Sequence, residues 1–148
     1  MKLIIVLSTA CIMLSCNNKP VDEKPDDKPA ADNPLHCYIY INNKDTVVLK
    51  TISVGSNVTG ALVYNFYEKD KNKGTIQGHM NGILLIADYT FNSEGVSSVR
   101  QVVFKKTEKG FTEGYGNIIF KDGKTSFKNL DSLNFENSIL LTEIECEK

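Results

Sequence analysis

From residue 36 onward the chain alternates short apolar-rich runs with polar turn signals at intervals of about 8–12 residues, the rhythm of an all-β barrel or sandwich. The runs predict strands over 36–41, 46–54, 58–67, 75–80, 83–91, 96–105, 111–120, 124–128 and 138–146. No helix-period run competes with them. Asn81-Gly82 is the strongest hairpin signal, because a two-residue type I′ turn requires positive φ at both central positions. Asp122-Gly123 is a second. Asn42 to Asp45, Gly55 to Asn57, Lys69 to Gly74, Asn92 to Gly95 and Thr107 to Gly110 supply the other turns.

Adjacent hairpins must agree on which face is buried. A turn at Asn81-Gly82 pairs Met80 with Ile83, Gly78 with Leu85 and Ile76 with Ala87, and Tyr89 and Phe91 share that face. Pairing Phe91 with Val96 adds Ser98, Arg100, Val102 and Phe104, with Arg100 opposite Ala87. Pairing Tyr67 with Thr75 adds Leu62, Tyr64 and Phe66. Four successive strands therefore present one largely apolar face. The alternation weakens in 46–54, which is apolar on both faces, and in 124–135, where Leu130, Leu133 and Phe135 indicate an irregular connection. A sheet of eight or nine antiparallel strands closes to remove its edges. The expected fold is a small up-and-down, lipocalin-like β-barrel, with a two-layer β-sandwich as the alternative.

The segment before this domain has a different composition. All four prolines, Pro20, Pro25, Pro29 and Pro34, lie there among Lys and Asp residues with almost nothing apolar. Such a stretch cannot bury enough surface to offset its ordering entropy. At about 3.1 Å per residue in polyproline II, residues 17–34 span roughly 50 Å, so they read as a tether.

Further upstream, Met1-Lys2 is followed by an apolar run from Leu3 that continues through Ile12, Met13 and Leu14 to Ser15-Cys16. A cationic start, a short apolar core and a small residue at the cut define a secretory signal. The core is too short for a membrane span, which needs about 20 residues. Met13-Leu14-Ser15-Cys16 resembles the lipobox of bacterial lipoproteins, cut before the cysteine that carries the lipid. The resemblance implies a signal peptide over 1–15, lipidation (palmitate-type acylation) of Cys16, a tether over 16–34 and a domain over 35–148. Cys11, after Ser8-Thr9-Ala10, is a rival cleavage point that leaves a very short apolar core. In such proteins Asp directly after the lipidated cysteine retains them at the inner membrane. Asn17 stands there, which implies an outer-membrane protein anchored to the membrane by lipid. Lys19-Pro20-Val21-Asp22-Glu23 resembles the acidic surface-export signal of Bacteroidota lipoproteins, so the periplasmic and cell-surface sides both stay open.

Removing Cys11 with the signal and acylating Cys16 leaves Cys37 and Cys146, one at each end of the domain, in a compartment that permits disulfides. A bridge between them closes a loop of about 110 residues and stabilises the fold by up to roughly 4–5 kcal/mol on chain-entropy grounds. The alternative is two unpaired buried cysteines.

Candidate chemistry is sparse. Without Lys2, 16 basic residues face 18 acidic ones, and Arg100 is the sole arginine. Nucleic-acid binding has no basic footprint to rest on. No nucleophile elbow, phosphate loop or metal signature appears, and His36 and His79 read as surface histidines. No catalytic residue, metal or cofactor is expected, and the chain does not read as an enzyme.

Arg100 is the residue that stands out, because the register turns it inward. Pairing Lys106 with Phe111 sets it across from Asn117, with Glu113 and Tyr115 on the same face. A buried guanidinium needs a partner, and its planar fork binds carboxylates bidentately. Arg100, Glu113, Tyr115 and Asn117 are therefore the candidate ligand-binding set, against a structural or exposed role for Arg100. The tyrosines read chiefly as strand residues of high β propensity, and Lys69 to Lys73 as a solvated hairpin tip. Asp45-Thr46-Val47 and Asp131-Ser132-Leu133 match the O-glycosylation sequon of Bacteroidota secreted proteins, at Thr46 and Ser132.

The domain also resembles small β-barrel lipoproteins of unknown function from that phylum, in Val58-Thr59-Gly60, Gly74 to Gly78, Asp88 to Phe91, Ser93 to Gly95 and Glu113 to Gly116. Two readings follow. One is a tethered binding module whose interior takes a small amphiphilic or anionic ligand. The other is an envelope interaction protein, an inhibitor or assembly factor, acting through exposed loops. A roomy cavity reaching Arg100 would favour the first; a filled core with an exposed apolar patch would favour the second.

Overall fold

The computed structural model describes residues 33–93 and 95–147. The expectations for the signal peptide, Cys16 and most of the tether fall outside them. Ten strands run in order: β1 (Leu35–Asn42), β2 (Asp45–Val54), β3 (Asn57–Asn65), β4 (Asn72–Asn81), β5 (Leu84–Ser93), β6 (Val96–Thr107), β7 (Gly110–Glu113), β8 (Ile118–Lys121), β9 (Lys124–Phe127) and β10 (Leu140–Ile144). A single 3₁₀ turn, Leu130–Ser132, precedes β10.

β1 to β7 and β10 form a closed, antiparallel, eight-stranded up-and-down barrel. The first strand pairs with the last, Cys37 standing opposite Ile144 and Ile39 opposite Thr142, so closure falls where the terminal cysteines imply. Cys37 and Cys146 form a disulfide, with Cα atoms 5.3 Å apart across a sequence separation of 109. Closure removes the open edges that a free sheet would expose to other chains.

Alternation sets the interior. Val47 and Leu49 of β2, Val58, Leu62 and Tyr64 of β3, Ile76 of β4, Leu85, Ala87 and Tyr89 of β5, Val102 and Phe104 of β6, Phe111 of β7 and Leu141 of β10 make one buried cluster. Of the inward residues expected from the meander, Leu62, Tyr64, Ile76, Leu85, Ala87, Tyr89, Val102 and Phe104 are in it and Phe66, Met80 and Phe91 pack against it, whereas Ile83 and Val96, next to the turns, are exposed. Eight strands enclose a lumen that side chains alone can fill. Aromatic packing does so here: Tyr38 meets Phe111 edge-on at 5.0 Å, and Tyr89 stacks on Phe91 at 4.8 Å.

The detailed register differs from expectation in an instructive way. Asn81 pairs with Leu84, so Gly82 and Ile83 occupy the turn and Met80 faces Leu85 rather than Ile83. Gly82 has φ +60°, while Ile83 is not among the residues with positive φ. That fits a II′ turn, which needs positive φ only at its first central position. Ser93, not Phe91, pairs with Val96, and Tyr64 pairs with Asn72. Each slide is by an even number of residues, and with a side-chain period of two it leaves every strand's buried face unchanged.

The larger departure lies after β7. The single strand expected over 111–120 is two strands, separated by Gly114-Tyr115-Gly116-Asn117. β8 and β9 form a hairpin through Asp122 and Gly123, which have φ +54° and +75°, the double positive φ of a I′ turn. β9 then runs parallel to the first half of β6, pairing Val99 with Lys124 and Arg100 with Thr125. Lys124 makes an ion pair with Asp88 of β5. The hairpin is thus an appendage to the barrel, and β8 forms the outer end of the sheet.

Candidate functional site

β7 ends at Glu113, so the first half of β6 loses it as a neighbour at Arg100 and Val102. The chain crosses the gap as Gly114 to Asn117 and is clamped from outside. Backbone hydrogen bonds join Tyr115 and Asn134 in both directions, at 2.9 and 2.8 Å. Clamping requires two residues without side chains. A Cβ on Gly114 would lie 2.7 Å from Phe135 Cε1, and one on Gly116 the same distance from Leu133 Cδ2. Beneath this crossing a recess of about 170 Å³ opens beside Arg100, Val102, Glu113, Tyr115, Ile118 and Phe127.

The recess is polar at its inner wall. Glu113 is 4 % exposed. Tyr64 OH donates to its Oε1 at 2.6 Å, and Tyr115 OH donates to Oε2 at 2.9 Å. Burial raises its carboxyl pKa, against the lowering effect of the Tyr64 hydrogen bond, the Arg100 charge and the Tyr115 hydrogen bond. The guanidinium carbon of Arg100 sits 4.8 Å from the Tyr64 ring centroid and 5.5 Å from that of Tyr89, in cation–π range. Burial pushes the Tyr89 hydroxyl up to about 12, with the Arg100 charge opposing that rise.

Arg100 and Glu113 make no direct ion pair among the described residues. Arg100 Nε and Tyr89 OH are instead buried without a hydrogen-bond partner among the described residues, as is Asn72 Oδ1 at the same end of the barrel. Native interiors satisfy the large majority of such atoms, so three unpaired ones at one end of a lumen call for an explanation.

The structure therefore brings together three of the four candidate ligand residues: Arg100, Glu113 and Tyr115 line one recess. Arg100 faces inward as expected, but it stands opposite Tyr89 rather than Ala87, and opposite Thr125 of β9 rather than Asn117. Asn117 is exposed; its carbonyl accepts from Lys128 N at 2.8 Å, at the base of the appended hairpin. The expectation for Asn117 fails because β7 stops four residues short of it. Glycine within a strand marks a break or a close approach, and Gly114 and Gly116 are that signal in the sequence.

Elsewhere, His36 Nδ1 contacts Glu143 Oε1 at 3.0 Å at the opposite mouth of the barrel, where a recess of about 200 Å³ is also lined by Lys106, Thr51 and Ser53. His79 is exposed on the outer face of β4. No group of three or more metal-ligating side chains occurs among the described residues. Ser132 is exposed, whereas Thr46 is half-buried within β2.

Sequence reasoning missed the edge of β8. All four of its residues are exposed, Ile118 at 59 %, Ile119 at 45 % and Phe120 at 73 % among them. In the hairpin, the flanking pair Lys121 and Lys124 and the Asn117–Lys128 bond fix the alternation. Asn117, Ile119 and Lys121 turn their main-chain groups toward β9, and Ile118 and Phe120 turn theirs to the free edge.

No protein-family model, curated protein or solved structure matches the chain.

Proposed function

We propose that this protein is an envelope lipoprotein, anchored through Cys16 at the outer membrane, that holds an extended segment of a partner protein along the edge of β8. It is a binding protein and carries out no catalysis of its own. The observation that carries this reading is the hairpin itself. A closed barrel has no edges, yet this chain appends a strand whose outer side has no strand partner among the described residues and offers its N–H and C=O groups beside Ile118, Ile119 and Phe120. Exposed apolar edges of that kind invite strand addition, in which main-chain hydrogen bonds supply affinity and alternate side chains supply specificity. The matching partner segment is β-prone, with apolar side chains two residues apart to meet Ile118 and Phe120. The filled lumen supports the same reading. Leu49, Leu62, Leu85, Tyr89, Phe104 and Leu141 are all fully buried within it. Neither recess reaches the roughly 300 Å³ at which ligand pockets for drug-sized molecules begin, which argues against a large amphiphile along the barrel axis.

The test is retention of an envelope partner by the full-length anchored protein after cross-linking in intact cells. Phe120→Pro removes one outward N–H without touching the pairing to β9, and Phe120→Glu places a charge on the apolar edge. Both should lose a partner that the unaltered protein and a Lys106→Ala control retain. Equal recovery by all four proteins would refute the edge as the binding surface.

A further inference from the structure

We infer that the recess under the appended hairpin is a binding site for a small aliphatic α-amino acid, its carboxylate on Arg100 and its ammonium on Glu113. The recess shares Ile118 with the β8 edge but does not depend on strand addition there.

The inner wall presents one cation and one carboxyl group that do not pair with each other. Arg100 lines the recess and, among the described residues, has no hydrogen-bond partner at its buried Nε. Its guanidinium is a donor whose planar fork suits a carboxylate. Glu113 uses one acceptor site on each oxygen for Tyr64 and Tyr115. A carboxylate has about four such sites, so it can still accept an ammonium.

Charge balance separates a zwitterion from a simple anion. An anion alone would bury a second negative group beside Glu113, with one guanidinium to serve both, and uncompensated buried charge is costly. A zwitterion brings its own balance. The rest of the recess is lined mainly by apolar Val102, Ile118 and Phe127, with Gln101 and Thr125 beside them. An engineered apolar cavity of about 150 Å³ accepts benzene, so roughly the same space here suits a side chain no larger than that of valine. The hairpin supplies two of those three apolar walls, Ile118 and Phe127.

The test is calorimetric titration of the full-length protein in detergent with valine, with propionate as the carboxylate alone and isobutylamine as the ammonium alone. Valine should bind, and each single-group analogue should bind at least about tenfold more weakly, the loss expected for one missing charge-assisted contact. Glu113→Gln, which keeps the shape of the side chain, and Arg100→Met should each weaken valine by a similar factor, with retention of fold checked by circular dichroism. Propionate binding as tightly as valine would overturn the amino-acid assignment and leave a plain carboxylate site. No heat with any of the three, on unaltered protein, would overturn the site altogether.

Discussion

In the barrel wall every strand has a hydrogen-bonded neighbour on each side, whereas β8 has one neighbour among the described residues and an open edge. The wall buries its apolar residues: Phe104 and Leu85 are wholly inaccessible, while Phe120 of β8 is 73 % exposed. The wall is tied end to end by the Cys37–Cys146 disulfide, while β9 holds to β6 through two residue pairs and to β5 through the Lys124–Asp88 ion pair. Stability and availability are thus assigned to different parts of one short chain. The closed sheet supplies a rigid support, and the appended hairpin supplies both an open edge and the outer wall of a recess.

Breaking the wall should cost most. Removing the disulfide by Cys37→Ser with Cys146→Ser should lower unfolding free energy by up to roughly 4–5 kcal/mol, read from denaturant titration. An unchanged midpoint would mean that pairing of β1 with β10 closes the barrel without covalent help. Two phenylalanines compare wall and hairpin directly. Phe104→Ala should destabilise by about 3–5 kcal/mol, and Phe120→Ala by no more than about 0.5 kcal/mol. Similar losses at both positions would show that β8 packs as part of the core.

The join between the two regions should respond at an intermediate level. Gly114→Ala forces a methyl group against Phe135 and should cost about 1–3 kcal/mol, with loss of the Tyr115–Asn134 bridge visible in amide exchange. Free accommodation would mean that the 133–135 segment does not clamp the crossing.

The smallest effect is one of pH. Burial holds the Glu113 carboxyl above its ordinary 4.5, so the native state keeps a proton that the unfolded chain gives up earlier. The stability this contributes is full below the ordinary value and is lost as pH rises through the raised one. The stability difference between the unaltered protein and Glu113→Gln should therefore fall over that window and be flat above it. A difference that rose with pH would show that Arg100 and the two tyrosines outweigh burial.

The wall was legible in the sequence because alternation with a period of two tolerates even slips. Asn81-Gly82 was placed one residue early in its turn, yet Met80, Leu85, Tyr89 and Arg100 still fell on the correct face. Cys37 and Cys146 indicated closure for a similarly robust reason: they bracket the domain, and a closed meander brings its ends together. The candidate site was legible only in part. Arg100, Glu113 and Tyr115 followed from the same alternation, but Asn117 did not, since alternation says nothing about where a strand stops. Gly114 and Gly116 stop β7 through a contact with Phe135 and Leu133, residues distant in sequence that no local pattern couples. The edge of β8 was hidden for the same reason, because Ile118-Ile119-Phe120 reads as the end of a buried strand until the break before it is known.

Amide hydrogen exchange along β8 tests the division of labour most directly. Ile119 and Lys121 bond to β9 and should be protected both in the purified protein and in its complex with the partner retained from the envelope. Ile118 and Phe120 face the free edge; they should exchange fast in the purified protein and be slowed by roughly tenfold or more in the complex. Equal exchange at Ile118 and Phe120 in the two states would contradict strand addition at β8.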